Sequence, residues 1–145
     1  MGSKLNSLTE GKIASKCNFS NALIGDMMLK NTNLIGVNLA GANLVNANLI
    51  DAQLFKANFN GANLSDAFLH DAKINGAYLI NANLHNTGFL RTYFRGVDVL
   101  GAKGLTVKQL KQARSLYGIK NLPLELEEQL RKEKPCLFTL SGCKF

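Results

Sequence analysis

"GANLVNANLIDAQLFKANFNGANLSDA", residues 41–67, states one five-residue phrase five times: a small residue, a polar one, a leucine or phenylalanine, then two freer positions. Carried outward, the phrase extends well beyond the quoted stretch. Every fifth residue from Phe19 to Val99 is apolar, seventeen in all: Phe19, Ile24, Leu29, Leu34, Leu39, Leu44, Leu49, Leu54, Phe59, Leu64, Leu69, Ile74, Leu79, Leu84, Phe89, Phe94 and Val99. Two residues before each centre the side chain is small or modest. Ten of these are Ala, and the others are Cys17, Met27, Thr32, Val37, Thr87, Thr92 and Val97. Two residues after each centre, fifteen of seventeen are Gly, Asn or Asp, with Lys56 and Arg91 the exceptions. Those three residue types tolerate left-handed backbone angles and so favour turns.

Neither ordinary element buries such a set. On an α-helix five residues advance about 500°, which scatters successive leucines around the axis. Along a strand the side chains alternate, so a period of five sends successive leucines to opposite faces. A chain that turns a corner every five residues brings each leucine to the same axis. That architecture is a β-solenoid, with short extended segments, polar corners, and coils stacked in parallel about 4.8 Å apart.

The motif resembles A-(D/N)-L-x-x, the signature of the pentapeptide-repeat family, over residues 17–102 without a gap. The resemblance implies an all-β solenoid: a right-handed quadrilateral parallel β-helix with four pentapeptides per coil, hence about four coils, closed by a C-terminal α-helical cap. The position before the centre departs from the motif at Leu23, Met28, Phe68, Lys73, Tyr78 and Tyr93. The centres from Leu34 to Phe94 form the expected core ladder.

Three segments follow from this: 1–16, disordered in part or capping; 17–102, the solenoid; and 103–145, a helical cap and tail. Where the fivefold pattern stops, "LTVKQLKQARSLYG" carries Thr106 and Gln109 at capping-box spacing and Gly118 as a helix stop. Val107, Leu110, Ala113 and Tyr117 recur at helical spacing as a docking face for the last coil. "NLPLELEEQLRKEKP" reads as a second helix with a Leu122–Leu126–Leu130 stripe, acidic residues at its start and basic ones at its end. These helices either cap a monomer or pair two copies as a homodimer. "CLFTLSGCKF" is an extended strand or a flexible tail. The cysteines, Cys17, Cys136 and Cys143, lack metal-type pair spacing and read as buried or incidental thiols in a reducing compartment. That reading, with no signal-like apolar stretch near the start, gives a cytoplasmic expectation. No apolar run approaches the roughly 18 residues of a membrane span.

No reaction is legible. His70 and His85 are the only histidines, no cysteine has a histidine close in sequence, and Asp26, Asp51, Asp66 and Asp71 occupy corners that Asx turns explain. The expectation is a protein without catalytic, cofactor or metal residues and without a small-molecule substrate. The surface says more. Stacking every twenty residues brings Met28, Ile50, Phe68, His70 and Leu90 onto one face, a candidate partner-binding patch. An adjacent face shows Ile35, Phe55, Tyr93 and Arg95. Residues 19–101 hold five acidic and five basic side chains, while residues 102–145 hold four and nine of a chain whose net charge is +7. The lysines of the cap lie along amphipathic helices without interleaved aromatics, a solvated surface that makes nucleic acid an unlikely partner. The function expected is a non-catalytic scaffold that presents a rigid face to an unidentified protein. The alternative is a DNA mimic that regulates or protects a topoisomerase such as DNA gyrase, the role of relatives with a strongly acidic face.

Overall fold

The structure, a computed structural model, describes residues 14–145. Most of the 1–16 segment, and what was expected of it, therefore lies outside the described residues.

Two backbone facts produce sides of five residues. At each corner from Lys16 to Gly101 one residue sits at φ between +55° and +69°. Gly, Asn and Asp enter that left-handed region at least cost. Lys16, Lys56 and Arg91 adopt it as well. A short turn bond closes nearly every corner, as where Ala57 N–H donates to Leu54 C=O at 3.1 Å. Between corners the chain runs extended just long enough for one isolated parallel bridge, within the solenoid to the residue twenty positions on. Four columns result: Asn33–Gln53–Lys73–Tyr93, Asn18–Asn38–Asn58–Tyr78–Asp98, Leu23–Asn43–Asn63–Asn83–Lys103 and Met28–Asn48–Phe68–Gly88. We name the corresponding faces after their central core residues: the Leu54, Phe59, Leu64 and Leu69 faces.

The interior is continuous. Each core residue from Leu34 to Phe94 in the fivefold row is at most 1% exposed, and the alanines from Ala42 to Ala82 are equally buried. Burying each large side chain contributes about 1.5–3 kcal/mol, which the ordering of the chain largely offsets. Thr87 and Thr92 intrude on the apolar row without loss, because their hydroxyls donate to the carbonyls of Leu64 (2.8 Å) and Leu69 (2.6 Å) in the coil below.

The asparagines before the centres have a local task. At Asn33, Asn38, Asn43, Asn48, Asn58 and Asn63 the side-chain oxygen accepts the N–H two residues on, holding the corner. At three of the corners where that asparagine is missing, the cap comes from the coil below. Asn60 accepts Ile80 N–H, Asn75 accepts Arg95 N–H, and His70 Nδ1 accepts Leu90 N–H, at 3.1, 3.1 and 3.2 Å. Tyr78, Gly88 and Tyr93 thus break the motif without leaving those corners uncapped.

At the C-terminal end helix α1, Val107–Leu110, takes the place of the next rung on the Leu69 face. Thr106 and Gln109 form the expected capping box. Gln109 Nε2 then donates to Leu84 C=O (2.9 Å), which also accepts Thr87 N–H, and to Thr87 C=O (3.2 Å), which the absent rung leaves open. The helix expected to continue toward Tyr117 does not. Arg114 N–H donates to Thr92 C=O, and Tyr93 and Asp98 pair with Ser115 and Lys120, twenty-two positions on. The open donors and acceptors of the last coil draw the chain back into the ladder, and Gly118, at φ +69°, serves a turn rather than a helix end. Helix α2, Leu124–Glu133, follows. It buries Leu130, and Leu122 just before it, against the core, with Leu126 partly covered.

The tail is neither a strand nor loose. A 3-10 turn over Pro135–Phe138 places Leu137 in the core, and Leu116 N–H donates to Leu137 C=O at 2.7 Å. The thiol expectation is corrected for two of the three cysteines. Cys136 and Cys143 form a disulfide, their Cα atoms 5.1 Å apart, and Cys143 N–H donates to Arg114 C=O at 2.8 Å. Seven positions apart, both are carried to the same edge by the 3-10 turn. Cys17 is free and partly buried.

Candidate functional site

The four columns put all five candidate residues on the Leu69 face, but in two classes. Met28 and Phe68, in the bridge column itself, stand 60% and 45% exposed. Ile50, His70 and Leu90, one position past the centre, are half-buried against the wall. Met28 and Phe68 lie two coils apart, about 10 Å, with Asn48 between them. His70 belongs to both the wall and the face. Its ring lies 5.9 Å from that of Phe68, and it covers Gly88 so closely that a Cβ there would meet His70 Cε1 at 2.5 Å. The Leu90 bond requires Nδ1 to be an acceptor, so the proton of the neutral ring sits on Nε2.

The edges of this face carry most of the solenoid's acid. One corner column reads Asp26, Asn46, Asp66, Asn86; the other reads Asn31, Asp51, Asp71, Arg91. Arg91 grips Asp71 through two bonds, Nε to Oδ1 at 2.7 Å and Nη2 to Oδ2 at 2.6 Å. That hydrogen-bonded fork holds the Asp71 carboxyl below the usual carboxylate range and raises Arg91 in turn. Among the described residues, Asp26, Asp51 and Asp66 form no salt bridge. The acidic edges were not anticipated: counting charge over the whole tube gives zero, and only assignment to columns twenty residues apart reveals them.

The other faces differ. Tyr78, 47% exposed, holds the same position on the Phe59 face, flanked by Gly76 and Asn81 at the corners. On the Leu54 face, Ile35 and Phe55 are half-buried beside Tyr93. The expectation of a cap without interleaved aromatics is corrected. Arg114 stacks between Tyr93 and Phe145, 5.5 and 5.3 Å from the ring centres, Lys134 Nζ lies 4.7 Å from Phe145, and Arg131 lies 4.0 Å from Phe138. The sequence separates these partners by 7 to 31 positions, so linear spacing could not show the stacking. Lys134 Nζ also donates to Lys111 C=O at 2.6 Å, and burial, reinforced by the Lys111 charge, depresses its pKa. These contacts tie the tail to the last coil.

Among the described residues, no group of three His, Cys, Asp or Glu side chains lies close enough to hold a metal ion. A hollow of about 530 Å³ opens between the last coil and α1, lined by His85, Asn86, Gly104 and Gln109 among others. His85 Nδ1 lies 2.6 Å from Asn83 Oδ1 there. No helix of the described residues is long and apolar enough to cross a membrane.

The chain matches the family described as pentapeptide repeats in eight copies, over residues 17–61, 32–71 and 62–101. No curated protein matches. Among solved structures, a pentapeptide repeat protein from the thylakoid lumen of Arabidopsis thaliana is 26% identical, with a TM-score of 0.65 over 86% of this chain and 77% of that one. QnrB1, a plasmid-mediated fluoroquinolone resistance protein, is 18% identical, with a TM-score of 0.50 over 80% of this chain and 72% of that one. At that identity the second likeness concerns the fold alone.

Proposed function

Because the chain belongs to the pentapeptide-repeat family, we propose that it is a non-catalytic scaffold whose Leu69 face docks a protein partner. The observation that carries this reading is the pair Met28 and Phe68, 60% and 45% exposed on a wall that every coil braces from behind. Large apolar side chains held out on a rigid surface gain by association, since little conformational freedom is lost when a partner covers them. We take the winding to be right-handed, as the family implies, with about four coils and a C-terminal cap. In the cap Leu110, Leu116, Leu130 and Leu137 are buried within this chain while Leu124 at the start of α2 stands 68% exposed, so a homodimer through these helices is kept beside the monomer, and size-exclusion chromatography decides between them.

The compartment is also part of the proposal. A disulfide between Cys136 and Cys143 persists in an oxidising setting, so we favour such a compartment over the cytoplasm. The thylakoid-lumen origin of the Arabidopsis relative agrees with this preference.

Pull-down from the native host tests the docking role. Wild-type protein is expected to retain a partner that Phe68→Glu loses while its melting curve stays unchanged; equal recovery by both proteins would contradict the reading. The second reading, a DNA mimic acting on a topoisomerase, draws on the shared fold with QnrB1 and on the acidic edges of the Leu69 face. It predicts salt-sensitive competition with DNA for the target. Lys30 and Arg91 on the same face, and a net charge of +7, weigh against it.

A further inference from the structure

We propose that the partner element accepted by the Leu69 face is a basic amphipathic α-helix lying along the solenoid axis. The proposal rests on the docking role given above and names the chemistry of the occupant. Three features of the face define that occupant. Its exposed apolar side chains, Met28 and Phe68, are two coils apart, about 10 Å. Residues i and i+7 of a helix present side chains on one stripe at nearly that rise, about 10.5 Å. The extended segment between the two corners spans about 10 Å, close to the width of a single helix. A helix seated on the apolar stripe therefore brings its flanks over both corner columns.

Charge then selects the helix. The flanks would meet Asp26 and Asp66 on one side and Asp51 on the other, three carboxylates without salt-bridge partners among the described residues, opposed on this face by Lys30, one position past the Leu29 centre. Asp71 is already held by Arg91. Lysine or arginine on both flanks of the helix complements these edges, whereas acidic flanks are repelled. The wider molecule sharpens the selection, because the remainder of its surface is basic: nine Lys and Arg against four Glu in residues 102–145. The net positive charge of the cap disfavours a basic helix there relative to this wall.

Fluorescence anisotropy with a labelled, designed helical peptide tests the inference. The peptide carries leucines at i and i+7 with lysine flanks, and a twin carries glutamate in place of lysine. Wild-type protein is expected to bind the lysine peptide and to reject the twin, with affinity falling as salt is raised. Asp51→Asn combined with Asp66→Asn removes two charges while leaving residues that suit left-handed corners, and is expected to weaken binding about tenfold. Asp98→Asn, on the Phe59 face, is expected to change nothing, and Phe68→Glu to abolish binding. If the double variant binds as wild type does while Phe68→Glu fails, the charge selection is overturned and the docking role stands. Failure of wild type to bind, or equal binding of the twin, overturns the inference, and the host pull-down then judges the docking role independently. Sedimentation in parallel covers a second copy as occupant: self-association lost in Phe68→Glu, without peptide binding, likewise overturns it.

Discussion

The solenoid and its cap meet the same demand, to bury apolar side chains and satisfy backbone amides, in opposite ways. In the solenoid every position in the five-residue unit has one task, and neighbours in the next coil repeat it. Leu54 does for Gln53 and Phe55 what Leu64 does for Asn63 and Ser65. In the cap each task falls to a single side chain. Gln109 alone caps α1 and covers the Leu84 and Thr87 carbonyls, and one disulfide fastens the tail. Redundancy therefore belongs to the tube and individuality to the end.

The largest expected effect lies in the tube. Leu54 is 0% exposed with core residues above and below, so Leu54→Ala should cost about 2–5 kcal/mol in chemical denaturation. A loss under about 1 kcal/mol would mean that the stacked core relaxes around holes and is less rigid than described. Next comes the disulfide. Closing so short a loop stabilises by about 2–3 kcal/mol in the chain-entropy account, so Cys143→Ser should lower stability by that order. Its effect on amide exchange should be confined to the Arg114–Lys120 rung, while amides from Leu34 to Leu84 stay protected. Spread of the loss into the tube would erase the distinction between the two regions.

Gln109→Ala removes the capping box and both carbonyl bonds, with an expected cost of about 1–3 kcal/mol. His70 tests capping from the coil below. His70→Ala deletes the acceptor for Leu90 N–H and should cost about 1 kcal/mol, whereas His70→Asn, which resembles Asn60 and Asn75 in place, should recover most of it. The smallest effect is acid sensitivity at Asp71. Its folded pKa is depressed by Arg91, so its contribution is present above the ordinary carboxylate pKa of about 4 and is lost as pH falls through the lower folded value. Asp71→Asn should flatten that part of the pH–stability curve, with little change near neutrality because the pair is substantially exposed.

The same contrast explains what the sequence disclosed. Period five at Leu44, Leu49 and Leu54 admits one architecture, because neither a helix nor a strand buries that spacing, and the Gly, Asn and Asp corners say where the chain turns. In the cap, Val107, Leu110, Ala113 and Tyr117 fit a helix equally well. What shortens it is the open edge of the last coil, a tertiary partner that local spacing does not encode. The Cys136–Cys143 pair depended on the turn at Pro135–Phe138 for its approach. On the candidate face, stacking every twenty residues places Met28 and Phe68 in one column, but their exposure relative to Ile50 and Leu90 depends on side-chain packing. Lys56 and Arg91 hold left-handed corners as the period demands; Arg91 gains its fork to Asp71, and nothing in the structure explains the lysine.

Phe68 and Tyr78 offer the cleanest test of the functional account. They occupy equivalent positions on opposite walls and are almost equally exposed, 45% and 47%. A photo-cross-linking amino acid placed at either site, one at a time, and irradiated in the native host reports which wall meets a partner. The account predicts a discrete protein adduct from position 68 and none from position 78. Adducts from 78 alone, or the same adducts from both, would contradict it.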